Sequence, residues 1–395
     1  MKTSARRRVT KPMKLKHLLR YPSRIRTARS LLKRGGSEHS SARGVIGIDL
    51  YTEQLLFDCG RHLACLAATA QLAEYEIHLR CSKWLLAAIA HKPLGKSFLS
   101  LGNVRWLSPN QIFPGHAVVL SDVAEHHALR VHAGQHLIHM LIGCDVIPGT
   151  MVMPYPMHPR QISDLAVLQR DELRRQEKRG VFFAGNQKQR YGRSAMQDRF
   201  GVISRLEIVS TLQEAFSDRV CTERDNVSDG VIHLLDTSIN PIALEDWVPT
   251  LSQHQFFVCC PGASQPMCHN VIEAMSVGVI PIIEYGDRFH PELRDGETCI
   301  AFHGRQGLVK AVERAAAMPA QDRQRISRNV YRYFDRNLDG IQFMKKVFQA
   351  GRSRSEACVS MPFHESNFFD PTQIAAVEFD AAPIDSADAS AKQAA

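Results

Sequence analysis

From Gly44 onward, short apolar runs alternate with longer stretches that have helical spacing. GVIGIDL, YEIHLRC, VRWLS, HAVVLSD and HLIHMLI have the length and composition of buried strands. Leu55 to Ala73, which is rich in Ala and Leu, is typical of a helix. Because strands that alternate with helices form βαβ units, this half of the chain predicts a parallel sheet covered by helices.

A second series of the same kind follows a proline-rich segment, MVMPYPMHPRQI, whose three prolines favour neither helix nor strand. We interpret that segment as a crossing between two domains. Beyond it, VFFAG, VIHLLD, FFVCC, VIPIIEY and TCIAF predict strands, and Met196–Phe216 and Leu308–Met318 predict helices. The pattern therefore predicts an α/β protein with two Rossmann-like domains.

Five segments follow from these patterns. They are a basic, partly disordered arm (1–43), a first Rossmann-like domain (44–150), an interdomain crossing (151–178), a second Rossmann-like domain (179–350) and a largely disordered tail (351–395). The tail is expected to be disordered because its Ala-rich, acidic end shows no periodicity. A chain of 395 residues, 44% of them apolar, is long enough for two domains with separate cores.

The positive charge of the chain is concentrated in the arm. The chain has 49 Lys and Arg against 40 Asp and Glu, and 13 of the cations lie in residues 1–36, which contain no acid. The rest of the chain is therefore slightly negative, whereas nucleic-acid-binding domains carry clustered cations on the fold itself. We do not expect nucleic acid as a partner.

The arm interleaves apolar and basic residues from Met13 to Leu32, and Pro22 is expected to interrupt any helix there. Such a segment fits an anionic membrane surface, where each nearby Lys or Arg contributes about 1 kcal/mol. A disordered solubilising tail accounts for the same composition. The chain contains no run of about 18 apolar residues, no signal-peptide core and no C-x-x-C pair among its ten cysteines. These features predict a cytoplasmic protein, with peripheral attachment to the inner face of the membrane as an expectation.

The most informative segment is FFVCCPGASQPMCHNVIEAMSVGVIPIIEY, residues 256–285. It predicts a strand, a Pro-Gly turn, a polar loop and a helix with Glu273 in its first turn. Helix starts at the carboxyl ends of parallel strands bind phosphate, and a carboxylate there can accept bonds from two sugar hydroxyls. A phosphate site beside a diol acceptor predicts a nucleotide. However, Asn270 followed by Glu273 is also a capping-box pattern, which needs no ligand.

The string PGASQPMCHNVIEAMSVGVIPII resembles the donor site of GT-B glycosyltransferases, including exostosin-like and group 1-like members, over about residues 180–350. The resemblance implies two Rossmann-like domains facing a cleft, with the acceptor in the first (44–150) and a nucleotide-sugar substrate in the second (179–350). It implies neither a metal nor another cofactor. It also implies that Glu273 holds the ribose and that the loop wraps the diphosphate and sugar, through Gly262, Gln265, His269 and Asn270. Many retaining members have Glu where this chain has Gln265, so the stereochemical outcome stays open.

A second group of candidates follows Gly185 in GNQKQRYGR. A metal-independent transferase stabilises its leaving diphosphate with cations and N–H groups, and arginine can bind phosphate in bidentate fashion. Arg190 and Arg193 are the leading candidates for this role, with Lys188 beside them. A solvated basic loop is the alternative.

Three residues of the first domain are candidates for the base that deprotonates an acceptor: His126, Asp122 and Asp49. His126 and its neighbour His127 follow the strand HAVVLSD, and histidine has an ordinary pKa of about 6.5, which suits proton transfer near neutral pH. The histidines of EHHALRVHAGQHLIHM match no standard zinc spacing, so we expect no metal there.

Together these features predict transfer of a sugar from a nucleotide donor to a hydroxyl group, in the synthesis of a surface polysaccharide or another glycan. The acceptor is expected to be a glycan or a lipid-linked glycan. An epimerase or hydrolase on the same fold is an alternative. A non-catalytic scaffold whose basic arm binds lipid or nucleic acid is another, and Gln265 favours it.

Overall fold

A computed structural model describes residues 15–35, 42–123, 136–143, 145–162, 164–223, 227–263, 265–355 and 358–363. It contains two separate parallel sheets. The first has the order β3-β2-β1-β4-β5-β13-β6, and the second has the order β12-β11-β10-β7-β9-β8. Within the described residues, no helix is long and apolar enough to cross a bilayer.

The strands of the first sheet are β1 (Gly44–Leu50), β2 (Tyr75–Cys81), β3 (Val104–Leu107), β4 (Val118–Ser121), β5 (Leu137–Ile142), β6 (Met151–Val152) and β13 (Cys358–Met361). Those of the second are β7 (Arg179–Gly185), β8 (Val220–Cys221), β9 (Ile232–Asp236), β10 (His254–Val258), β11 (Ile280–Ile283) and β12 (Ile300–Ala301). In the first sheet β1 pairs with β2 and β4, and in the second β10 pairs with β7 and β11. All four pairings are parallel, as βαβ connections require.

The first domain carries α1 (Leu15–Gly35), α2 (Arg61–Leu72), α3 (Lys83–His91) and α4 (Pro93–Ser100). Next come α5 (Asp164–Arg175), α6 (Ala195–Phe200), α7 (Arg205–Ala215), α8 (Leu244–Ser252), α9 (His269–Ser276), α10 (Gly304–Ala316), α11 (Ala320–Tyr333) and α12 (Gly340–Ser353). Strands β1 and β10 are buried along their whole length because helices cover both faces of each sheet. Buried strands of this kind are continuously apolar, which is why the sequence marks them clearly.

The predicted fold class, α/β with two Rossmann-like parallel-sheet domains, is confirmed by these two sheets. A cleft separates the two domains, as in the GT-B arrangement that the resemblance implies. The proline-rich segment begins with β6, which belongs to the first sheet, and ends in a short 3₁₀ turn, Pro159–Ile162. Helix α5 lies inside the span expected to be the crossing.

The arm contains a helix that passes through Pro22, contrary to the expected interruption. Its inner side buries Ile25 and Ala28, and the Tyr21 ring stacks on Trp84 with ring centroids 4.8 Å apart. A proline inside a helix costs about 3 kcal/mol, so packing of α1 against α3 and α4 must offset that cost. Residues 1–14 and 36–41 lie outside the described part of the arm.

The helix predicted over Leu55 to Ala73 begins later, at Arg61. Asp58, Cys59 and Gly60 have φ values of 47°, 61° and 83°, and these left-handed conformations cannot continue a right-handed helix. Two short 3₁₀ turns, Gln54–Leu56 and Asp58–Gly60, take the place of the first part of the predicted helix.

The chain returns to the first domain after residue 340, which differs from the predicted boundary at 350. Helix α12 packs on α2 and β4, and β13 then pairs with β5 and β6 in the first sheet. A Cβ atom on Gly351 would lie 2.2 Å from Val118 Cγ1, so the helix approaches β4 too closely for a larger residue. Residues 358–363 are therefore not part of a disordered tail, and the tail from 364 to 395 lies outside the described residues.

Candidate functional site

A cavity of about 590 Å³ lies between the two domains. The first domain contributes the turn before α2, and the connecting segment contributes Tyr155 and His158. The second domain contributes the residues that follow β7, β9 and β10. Ligands of open parallel sheets bind where loops follow the carboxyl ends of strands, so this cleft is the candidate site.

The start of α9 opens into the cleft. Cys268, His269 and Asn270 line it, and Cys268, the N-cap residue, makes no side-chain capping bond. Asn270 Nδ2 donates to the carbonyl of Ala184 at 3.3 Å, which fastens the helix start to β7. The backbone N–H groups of an uncapped first turn, together with the helix dipole, favour an anion at this end.

Glu273 lies in the second turn of α9, not in the first turn as predicted. Its carboxylate is fully buried: Oε1 accepts from the His158 backbone N–H at 2.7 Å and Oε2 from Trp247 Nε1 at 2.6 Å. The capping-box interpretation is therefore wrong, because Glu273 does not bond to its own helix start. Instead this side chain fastens the interdomain connection to α8 and α9.

Burial raises the pKa of Glu273 to about 7, while the His158 N–H, the Arg61 charge and the Trp247 N–H oppose the rise. Each carboxylate oxygen can accept two hydrogen bonds, and each holds one from the protein. The side chain has no exposed surface, however, so ribose would reach it only after a local movement. Its binding to ribose stays a prediction.

Arg205 places a buried positive charge in the cleft wall. Its Nε and Nη2 donate to the Pro261 carbonyl at 3.2 and 2.9 Å, and Nη1 donates to the Asn186 carbonyl at 3.1 Å. The guanidinium also lies 3.9 Å from the centre of the Tyr191 ring. No carboxylate of the described residues pairs with it, and a buried charge without a counter-charge is costly. The site is therefore prepared for an anion.

Arg61, the first residue of α2, reaches the cleft from the first domain. Its Nε donates to Asp58 Oδ2 at 2.6 Å, and its buried Nη1 has no hydrogen-bond partner among the described residues. Asp58 and Cys59 in the preceding turn adopt left-handed backbone conformations, which are costly for residues other than glycine. A strained turn thus holds a carboxylate and a guanidinium at the cleft, opposite the start of α9.

Two histidines also line the cleft, His158 and His269, with their ring centroids 6.5 Å apart. Burial, with Arg61 and Arg160 nearby, lowers the pKa of His158 to about 4. Burial and the charges of Arg61 and Arg205 hold the pKa of His269 well below its usual range. Both rings are neutral at pH 7, so the positive charge of the cleft comes from arginine.

The structure brings most of the predicted donor-site residues together in this cleft: Gly185, Arg190, Gly262, Gln265, His269, Asn270 and Glu273 all line it. Gln265 Nε2 donates to the Tyr155 hydroxyl at 2.9 Å, which links the loop to the interdomain connection. Lys188 and Arg193 are exposed on the loop that holds Arg190, but neither lines the cavity among the described residues.

Two of the three predicted bases, Asp49 and Asp122, lie away from the cleft. Asp49 is buried in an ion pair with Arg80, with 2.6 Å between Oδ2 and Nη2. Asp122 accepts from the backbone N–H groups of Tyr51 and Thr52, each at 2.8 Å, and from the Thr52 hydroxyl. Burial raises the pKa of Asp122 to about 6 against these bonds. Neither carboxylate lines the cleft, so each is structural as placed here.

His126, His127 and His132 fall in residues 124–135, outside the described part of the chain. Two others of that group, His136 and His139, are described, and His139 is buried in β5. Among the residues that the structure describes, no three His, Cys, Asp or Glu side chains are grouped so that they could hold a metal ion.

Sequence reasoning missed Asp58, Arg61, Arg205 and Trp247. One signal for Arg205 was present: Ser204 and Glu207 have capping-box spacing, and Ser204 Oγ accepts from the Glu207 N–H at 3.3 Å. That spacing predicts a helix start after the first strand of the second domain, and such a start would place Arg205 near the ligand end of the sheet. Asp58, Arg61 and Trp247 depend on how the domains meet, which local patterns do not report.

No family model matches this chain, and no curated protein is similar to it in sequence. Several solved structures have a limited similarity to it. HepE of Anabaena in complex with UDP is 12% identical, with 78% of this chain and 100% of that chain covered and a TM-score of 0.38. A glycosyltransferase from Rickettsia africae is 8% identical, with 79% and 99% covered and a TM-score of 0.35. Starch synthase IV of Arabidopsis thaliana, bound to ADP and acarbose, is 12% identical, with 87% and 79% covered and a TM-score of 0.33. The fold assignment above rests on the chain's own two sheets.

Proposed function

We propose that this chain is a glycosyltransferase that binds a nucleoside-diphosphate sugar in the interdomain cleft and transfers the sugar to a hydroxyl group. The observation that carries the proposal is the charge arrangement at the start of α9. Among the described residues, no carboxylate pairs with the buried Arg205, and no acceptor pairs with Nη1 of Arg61, which reaches the site from the other domain. A diphosphate supplies the missing negative charge and accepts from both guanidinium groups.

The remaining walls suit the other parts of such a donor. Pro241, Ile242, Leu244 and Trp247 form an apolar wall beside the start of α9, where a nucleobase packs. Glu273 lies next to Trp247 and would accept from the ribose hydroxyls after a small shift of the carboxylate. The transferred sugar then lies toward the first domain, near the turn that precedes α2.

Asp58 is our candidate base. It is the first-domain carboxylate among the described residues that lines the cleft, and its side chain is about one-third exposed. The Arg61 Nε holds Oδ2, while the described residues leave Oδ1 without a partner, so Oδ1 can take the proton of an acceptor hydroxyl. Arginine and N–H donors, rather than a metal, would stabilise the departing diphosphate. The acceptor we propose is a glycan or a lipid-linked glycan in surface polysaccharide synthesis.

Titration with UDP, GDP and the corresponding nucleosides tests the anion site. Wild type is expected to bind one diphosphate more tightly than its nucleoside, since the arginines contact only the phosphates. Arg190→Gln is expected to weaken the binding of that diphosphate by about three- to tenfold. The loss is modest because the Arg190 cation is exposed at the cleft edge.

Arg193→Gln is the matched control, because it removes the same charge from the same loop outside the cavity. Its diphosphate affinity should match wild type. The proposal fails if neither diphosphate binds, or if the two variants lose affinity equally.

Arg205→Gln is expected to weaken diphosphate binding by about 10- to 100-fold, the usual loss for a buried charge-assisted hydrogen bond. Nucleoside affinity should change little, because the apolar wall stays in place. The Pro261 and Asn186 carbonyls each lose a donor, so the unfolding free energy should also fall by about 1–3 kcal/mol. Comparing diphosphate affinity with nucleoside affinity, under conditions where the variant is folded, separates the loss of anion binding from the loss of stability. Equal losses for nucleoside and diphosphate would place the anion elsewhere.

A further inference from the structure

Helices α1, α3 and α4 pack against one another beside β3, the edge strand of the first sheet. We call their outer surface the basic layer. Its exposed cations are Arg20, Arg26, Arg29, Lys33 and Arg34 on α1, Lys83 on α3 and Lys96 on α4. Residues 15–35 and 82–121 contain no Asp or Glu. The basic layer is therefore a surface of one sign.

The fold determines which way these cations point. The buried residues of α1, Ile25 and Ala28, lie on one side of the helix, and Tyr21 stacks on Trp84 from the same side. A Cβ atom on Gly35 would lie 2.7 Å from the Leu101 carbonyl oxygen, so the end of α1 is pressed against the end of α4. With the apolar side of α1 covered, the charged side faces solvent.

The seven cations form no ion pair with a described residue. Beside them Trp84 is 37% exposed, one of the few large apolar side chains on the described surface. Tryptophan is favoured at the boundary between water and lipid headgroups because one part of its ring system is apolar and its N–H is polar. The basic layer thus combines positive charge with an interfacial aromatic residue.

We propose that the basic layer docks the first domain on the surface of an anionic bilayer. Because the buried side of α1 over residues 20–35 packs against α3 and α4, the attachment is electrostatic, with the layer lying against the headgroups and Trp84 among them. Each cation near an anionic membrane strengthens binding by about fivefold, and salt screens the attraction. This inference does not depend on the glycosyltransferase proposal, since it concerns a different surface.

Co-sedimentation of the full chain with vesicles tests the docking. Vesicles of phosphatidylcholine with about 30% phosphatidylserine should bind the chain, and pure phosphatidylcholine vesicles should not. The triple variant Arg26→Gln, Arg29→Gln, Lys33→Gln removes three outward charges and should weaken binding by about 100-fold. Raising the salt from about 50 to about 500 mM should release the wild type.

The control variant is Lys310→Gln, Arg328→Gln, Arg332→Gln, which removes three exposed cations from α10 and α11 of the second domain. It has the same net charge as the test variant and should bind vesicles like wild type. Circular dichroism should show both variants folded. Equal losses for the two variants, or wild-type binding without preference for phosphatidylserine, overturn the proposal. If the wild type does not bind vesicles but binds a DNA duplex tightly through the basic layer, the docking proposal is overturned in favour of nucleic acid.

Discussion

Replacing Asp58 by Asn is expected to lower the rate of donor turnover by about 100- to 10,000-fold, the range for loss of a general base. The substitution keeps the size of the side chain, and Asn Oδ1 can still accept from Arg61 Nε. Diphosphate affinity should therefore stay within about threefold of wild type. Release of UDP or GDP from the nucleotide sugar that wild type uses, with water as the acceptor, provides the measurement.

Glu53→Gln is the appropriate comparison, because Glu53 is an exposed acid in the same connection between β1 and α2 but does not line the cleft. That variant should keep wild-type turnover. If Asp58→Asn turns over its donor at the wild-type rate, the base lies elsewhere, and residues 124–135, which include His126, become the next segment to test. If the variant instead loses diphosphate affinity, Asp58 acts through the position of Arg61 rather than on the acceptor.

The sheets could be predicted because of how parallel strands are buried. Helices cover both faces, so strands such as β1 and β10 are almost continuous apolar runs, and these are visible without knowledge of their partners. Strand β13 gives a weaker signal. It has four residues, and its partners β5 and β6 lie more than 200 positions earlier in the chain. Pairing with distant strands determines where β13 lies, and the sequence around β13 does not show which strands those are.

The second-domain half of the site could also be predicted, because a single sheet determines it. Gly185 ends β7, and the loop from Gly262 to Asn270 connects β10 with α9, so both must lie at the ligand end of the sheet. The loop with Arg190 follows for the same reason. Here the order of elements along the chain is enough to bring the residues together.

The first-domain half could not be predicted, because a carboxylate that follows a strand can point in several directions. Asp122 directly follows β4 but turns back to hold Tyr51 and Thr52. Asp58 lies eight positions after the end of β1, yet the left-handed turn that ends at Gly60 places it at the cleft. The backbone conformation of one turn, rather than distance from the strand, decides which acid faces the ligand.

Glu273 shows the same limit for a residue whose helix was predicted from the sequence. Its place on α9 follows from the sequence, but its bonds to the His158 N–H and Trp247 come from the interdomain connection and from α8. These bonds give the carboxylate a structural task at the boundary between the domains.

Asp49→Asn is expected to lower the unfolding free energy by about 3–5 kcal/mol, because it leaves the buried Arg80 guanidinium without its counter-charge. Arg80 is 1% exposed, donates to both Asp49 oxygens, and lies 4.5 Å from the centre of the Phe113 ring. Urea unfolding at neutral pH measures the loss. Water cannot reach the guanidinium without opening the sheet, so the penalty should appear as reduced stability rather than as a local adjustment.

The double variant Asp49→Asn, Arg80→Met distinguishes the structural role of this ion pair from the catalytic role that the sequence predicted for Asp49. Removing both charges leaves no unpaired ion, so most of the lost stability should return, to within about 1–2 kcal/mol of wild type. The double variant should also turn over its donor at the wild-type rate, because Asp49 does not line the cleft. A double variant that is as stable as wild type but inactive would instead make Asp49 part of the reaction. The buried pair would then have to open during turnover to bring its carboxylate to the acceptor.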